Sequence, residues 1–96
     1  MTLSDNVVVV TGAGGMGCAV ARRIGLGAVI FLADFNQASL GAAAASLAET
    51  GYDVVSRVVD VSQRDAVQGL VAEAADRGSI SAVVHTAGVS PVQATV

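Results

Sequence analysis

Gly12-Ala13-Gly14-Gly15-Met16-Gly17 has the G-x-G-x-x-G spacing, directly after the apolar run Val7–Val10. That spacing suits one kind of chemistry. Gly12 permits a tight turn after a strand, and a glycine in the middle (Gly14 or Gly15) lets backbone approach a pyrophosphate. Gly17 lets the following helix pack closely on the sheet. The N–H groups at the helix start would then face the diphosphate, helped by the helix dipole. A plain tight turn is the competing reading.

Asp34 stands 22 residues after Gly12, where a carboxylate can accept hydrogen bonds from the adenosine ribose hydroxyls. It also discriminates. A 2′-phosphate roughly 5 Å away, at an effective dielectric near ~20, is repelled by about 3 kcal/mol per unit charge. The next residue is Phe35, so no cation waits there to receive that phosphate. Arg22 and Arg23 lie more than a turn into the helix and read as solvated face residues. NAD is therefore expected in preference to NADP.

The elements that must hold these residues alternate from start to end. Asn6–Thr11, Ala28–Ala33, Asp53–Val59 and Ser81–His85 read as short apolar strands. Between them, Gly17–Leu26, a segment capped by Asn36 and running to Thr50, and a segment capped by Ser62 and running to Asp76 or Arg77 read as helices. Apolar residues at helical spacing support the last two: Leu40, Ala43, Ala44 and Leu47, then Val67, Leu70, Val71 and Ala74. Thr86–Val96 reads as a loop. Strand-helix-strand repeats predict an α/β, Rossmann-like, doubly wound parallel sheet with strand order 3-2-1-4 and a ligand crevice between strands one and four. Strand four then ends at an open apolar edge, so residues 1–96 read as the N-terminal part of a longer dinucleotide-binding domain.

Composition narrows the function classes. Hydrophobic residues make up 53% of the 96, above an ordinary soluble domain, yet no apolar run approaches the roughly 20 residues of a membrane span. Five arginines, no lysine, a net charge of −3 and 3% aromatics give nucleic acid little to bind. One cysteine, Cys18, excludes an internal disulfide framework. It reads as a small residue in a helix-sheet contact rather than a reactive thiol. A lone cysteine fits a reducing setting, so a cytoplasmic chain is expected, and no basic region of a signal peptide precedes the first apolar run.

Three features together resemble the short-chain dehydrogenase/reductase family, over almost the whole chain. Thr11–Gly17 is similar to the family's T-G-x-x-x-G-x-G turn with one residue fewer. Asp60-Val61 is similar to its acidic pair at the adenine, and His85-Thr86-Ala87-Gly88 stands where the family has N-N-A-G. The resemblance implies that Asp60 accepts from the adenine amino group and that Val61 packs on the ring. A charge leading into the next helix is the other reading of Asp60. The resemblance also implies that the Ala87-Gly88 backbone lies along the nicotinamide-side ribose. His85 and Thr86 replace the asparagines.

The family reaction moves a hydride between the nicotinamide and an alcohol or carbonyl carbon. A tyrosine serves as acid/base, made competent by a lysine four residues on, because an unperturbed tyrosine, pKa near ~10, is a poor base at neutral pH. Here the one tyrosine is Tyr52, position 56 is serine, and no lysine exists. The resemblance thus implies the cofactor-binding part of an NAD-dependent oxidoreductase, without its catalytic residues. The complete enzyme would be a homo-oligomer acting on a small-molecule substrate. The alternative is a non-catalytic NAD-binding or partner-binding module.

Overall fold

The computed structural model describes residues 6–60 and 62–86. Seven elements follow in order: β1 Asn6–Thr11, α1 Gly15–Ile24, β2 Val29–Asp34, α2 Gln37–Glu49, β3 Asp53–Val58, α3 Arg64–Arg77 and β4 Ser79–His85. The four strands form one parallel sheet in the order β3-β2-β1-β4, as the alternating pattern predicts. β1 pairs β2 with Val7 opposite Val29 and Thr11 opposite Ala33. Asp34 stands opposite Val58 on β3.

The continuous apolar runs of β1 and β2 are explained by helices on both sides of the sheet. Val8, Val10, Ile30 and Leu32 pack with Ala21, Leu40, Ala43 and Leu47, under α1 and α2. Val7, Val9, Val29, Phe31 and Ala33 pack with Leu70 and Ala74 of α3. The outer strands are only partly covered, and Val58 and Val83 stay 56% and 44% exposed.

Several boundaries differ from the sequence expectation. β4 begins at Ser79 rather than Ser81, because it pairs Val7 with Ile80 and then Val8 with Ala82, leaving Ser81 as an extra residue. α1 begins at Gly15, not Gly17, and stops at Ile24. Gly25 is its C-cap, where a Cβ would strike the Ile30 side chain, and Gly27 then takes a φ of +78°, a conformation that favours glycine. α2 has the expected cap, the Asn36 side chain accepting from the Ser39 N–H at 2.9 Å. α3 is capped at Gln63 rather than Ser62, for a reason that appears at Asp60. Among the described residues no helix is long and apolar enough to cross a membrane.

Candidate functional site

The candidate residues gather at the carboxyl ends of the strands. Gly12 leaves β1 with a φ of +100° and donates its N–H to Ala33 O at 2.7 Å, rooting the turn on β2. A Cβ at position 12 would lie 2.5 Å from Thr86 Oγ1 and 2.7 Å from Thr86 O. One at position 17 would fall on the Gly12 carbonyl. These two glycines are therefore demanded by the protein's own packing. Gly14 is different: among the described residues a Cβ there would meet nothing within 4 Å, and its φ is an ordinary −74°. Gly14 is the N-cap of α1, offers no side-chain cap, and no acid stands in the first turn. Gly15 and Met16 form the start of that turn. Helix amino ends leave N–H groups without intrahelical partners, so this one can receive an anion.

Asp34 ends β2 and is fixed from several sides. Its main-chain oxygen accepts the Val59 N–H at 3.0 Å. Its carboxylate accepts the Ala13 N–H at 2.6 Å through Oδ2 and the Asn36 N–H at 2.8 Å through Oδ1. Beside it Phe35 is 70% exposed. The sequence shows the carboxylate but not its bond to the turn, which joins residues 21 apart.

Asp60 follows β3 and is exposed. Its Oδ1 accepts both the Ser62 N–H at 3.0 Å and the Ser62 hydroxyl at 2.6 Å. The hydroxyl bond first, and the amide bond second, hold its carboxyl below the ordinary aspartate range. The main-chain oxygen of Asp60 also accepts the Gln63 N–H at 2.9 Å, so Ser62 lies in the turn before α3 and Gln63 takes the N-cap place. The D-x-S spacing is the signal that could have shown it. Val61, Ala87 and Gly88 lie outside the described residues.

His85 and Thr86 tie β4 to the turn. His85 Nδ1 shares a 2.8 Å hydrogen bond with the fully buried Thr11 hydroxyl. Thr86 donates its N–H to Thr11 O at 2.8 Å, and its hydroxyl to Thr11 O at 2.8 Å and Gly12 O at 3.2 Å. A small hydroxyl residue thus anchors the turn where the asparagine pattern would stand.

Other candidates stand elsewhere. Tyr52 precedes β3 at the opposite end of the sheet and donates its hydroxyl to Arg22 O at 3.0 Å. Arg22 reaches Ser46 Oγ at 3.0 Å and Thr50 Oγ1 at 3.3 Å, bracing α1 against α2. Cys18 is half-buried, its thiol 3.7 Å from Ala13 O. An open cleft of about 200 Å³ lined by Leu26, Ala28, Tyr52 and Asp53 also lies at that far end, away from the glycine turn. Among the described residues no group of three potential metal ligands occurs.

Comparison with known proteins agrees with this geometry. The family model described as short chain dehydrogenase matches residues 6–96. A short-chain dehydrogenase/reductase of Alternaria brassicicola is 38% identical over 93 residues, covering 97% of this chain and 34% of that protein. The meso-2,3-butanediol dehydrogenase of Serratia marcescens is 40% identical over 92 residues, covering 93% of this chain and 36% of its own length. Among solved structures, a variant of the actinorhodin polyketide ketoreductase with NADPH superposes with a TM-score of 0.81 at 30% identity, covering 93% of this chain and 35% of that one. The chain spans about a third of the length of the curated relatives it matches.

Proposed function

The chain belongs to the short-chain dehydrogenase family, and from that membership we propose that it forms the NAD-binding part of an oxidoreductase acting on an alcohol or carbonyl substrate. The observation that carries the reading is the contrast within the turn. Gly12 and Gly17 are glycines because the fold leaves no room, whereas among the described residues nothing stands against Gly14, before a helix with no side-chain cap. A side chain there would cost the fold little and would obstruct only a ligand. A helix amino end without a side-chain cap suits a diphosphate by charge.

In this reading Gly12, Gly14, Gly15, Met16 and Gly17 supply the diphosphate cradle. Asp34 accepts from the adenosine ribose hydroxyls and, with Phe35 rather than a cation beside it, disfavours a 2′-phosphate. Asp60 offers the adenine amino group its second carboxylate oxygen, the first being held by Ser62. Val61 packs on the ring, and the Ala87-Gly88 backbone borders the nicotinamide-side ribose. The dinucleotide, when bound, supplies or takes up the hydride. This chain's residues bind and orient it. The printed names of the butanediol dehydrogenase and the ketoreductase support an alcohol–ketone substrate class.

The proton-transfer residues of that reaction are not offered by these 96 residues. There is no lysine, and the Tyr52 hydroxyl is committed to Arg22 O at the wrong end of the sheet. That observation favours a second reading, a coenzyme-binding module without catalysis of its own. Titration with NADH tests the shared claim. Wild-type chain should bind saturably, and Gly14→Val should weaken binding by at least about ten-fold while losing no more than about 1 kcal/mol of stability, the cost of a poorer N-cap. Equal binding by the variant would sink the turn's assigned role. Turnover of an alcohol by the purified 96-residue chain would contradict the division of labour.

A further inference from the structure

We infer that Asp34 is also the positioning residue of the glycine turn, so that coenzyme choice and turn shape are coupled through one carboxylate. The root of the turn is anchored by main-chain groups and Thr86: Gly12 N–H on Ala33 O, and Thr86 on Thr11 O and Gly12 O. The next donor outward is the Ala13 N–H. Its partner is not backbone but Asp34 Oδ2, at 2.6 Å. Beyond it the chain enters Gly14 and the first turn of α1, where Gly14 O accepts the Cys18 N–H at 3.0 Å. Asp34 is thus the last anchor before the segment that would face a diphosphate.

Its other oxygen holds the Asn36 N–H at 2.8 Å, and Asn36 caps α2. A carboxylate presents about four acceptor sites, so two backbone bonds leave room for two ribose hydroxyls. What it cannot do is rotate away from an incoming 2′-phosphate without releasing Ala13 and Asn36. The phosphate is then refused twice, by charge and by the loss of turn geometry that avoidance requires. Deleting the carboxylate to admit NADPH removes the repulsion and also loosens the diphosphate cradle. The coenzyme half of this inference rests on the NAD reading above; the positioning half does not.

Residue-resolved amide exchange on the ligand-free chain tests the positioning half. In Asp34→Ala, the Ala13 and Asn36 amides should exchange on the order of ten-fold faster, the share of one charge-assisted hydrogen bond, while Val9, Leu32 and Leu47 keep their rates. Asp34→Asn, with one carbonyl oxygen left, should restore protection at one of the two amides; it also decides the matter if the alanine variant does not fold. Unchanged Ala13 and Asn36 exchange in a folded Asp34→Ala chain, or no partial rescue in Asp34→Asn, overturns the inference. Titration with reduced nicotinamide mononucleotide, which lacks the adenosine ribose, supplies the coupling. Its affinity should fall about ten-fold in Asp34→Ala and recover in Asp34→Asn. Unaltered affinity would reduce Asp34 to a ribose contact. Failure of the wild-type chain to bind any of these nucleotides would count against the NAD reading, and the exchange rates would still decide the positioning.

Discussion

Replacing Gly17 with alanine asks the fold for space it does not have. The added Cβ would fall on Gly12 O, 2.8 Å from Gly12 C and 3.0 Å from Thr86 Oγ1. None of these neighbours is the free end of a flexible side chain. Gly12 is held by its N–H on Ala33 O, and its oxygen by Thr86. Helix α1 must therefore retreat from the turn by about 1 Å or more, lifting Ala21 off the sheet. Overpacking costs roughly 1–3 kcal/mol, and each strained hydrogen bond adds about 1 kcal/mol. Even with the helix propensity that alanine gains, the variant should lose about 3 kcal/mol, a large fraction of a small domain's stability. Gly14→Ala meets no atom of the described residues and should lose at most about 1 kcal/mol, the cost of a poorer N-cap. Urea unfolding of both variants, followed by circular dichroism, makes the comparison. A Gly17→Ala chain within about 0.5 kcal/mol of wild type would refute the reasoning, because the surface-substitution range would then cover it.

Thr86→Val keeps the shape and removes a hydroxyl that donates to Thr11 O and Gly12 O. It should cost roughly 1–2 kcal/mol in urea unfolding, whereas Thr86→Ser should retain most of that stability. Acid should weaken the protein through Asp60 and Glu73, whose carboxyls are held below their ordinary ranges chiefly by the Ser62 hydroxyl and by the Arg57 side-chain bond, respectively. A depressed folded-state value means stability present above the unfolded value and lost as pH falls through the folded one. The loss should therefore come below about pH 4 and be absent at neutral pH. Ser62→Ala should raise the Asp60 carboxyl towards the ordinary aspartate value in an NMR titration; an unmoved Asp60 would contradict the assignment. Leu47→Ala, emptying a fully buried position between α2 and the sheet, should cost roughly 2–5 kcal/mol by the same unfolding assay.

Which parts of this molecule are legible from sequence follows from the range of the forces involved. β1 and β2 are written plainly because helices bury both their faces, so Val7–Val10 and Val29–Ala33 are continuous apolar runs. Strand order follows from those runs and the helices between them. The start of β4 is not legible, since Ser79 directly follows the helix-ending Gly78 and the bulge depends on the register against Val7 and Val8. Ser62 looks like a helix cap, but its bonds to Asp60, with that of the Gln63 N–H to Asp60 O, hold it in the turn before α3. At the candidate site, residue types are legible and partners are not. Asp34 announces a carboxylate at the end of β2, but its bond to Ala13 exists only once two strands lie side by side. Thr86 looks like a departure from the family pattern, and only the packed turn shows that its hydroxyl keeps Gly12 in place.

Calorimetric titration of the purified chain with NADH and then NADPH tests the central proposal most directly. Asp34 at the end of β2, with Phe35 in place of a cation, predicts saturable NADH binding at least about ten-fold tighter than NADPH, after salt has screened part of the repulsion. NADPH binding as tightly as NADH, or more tightly, would contradict the role given to Asp34, and a folded chain that binds neither would contradict the role given to the turn.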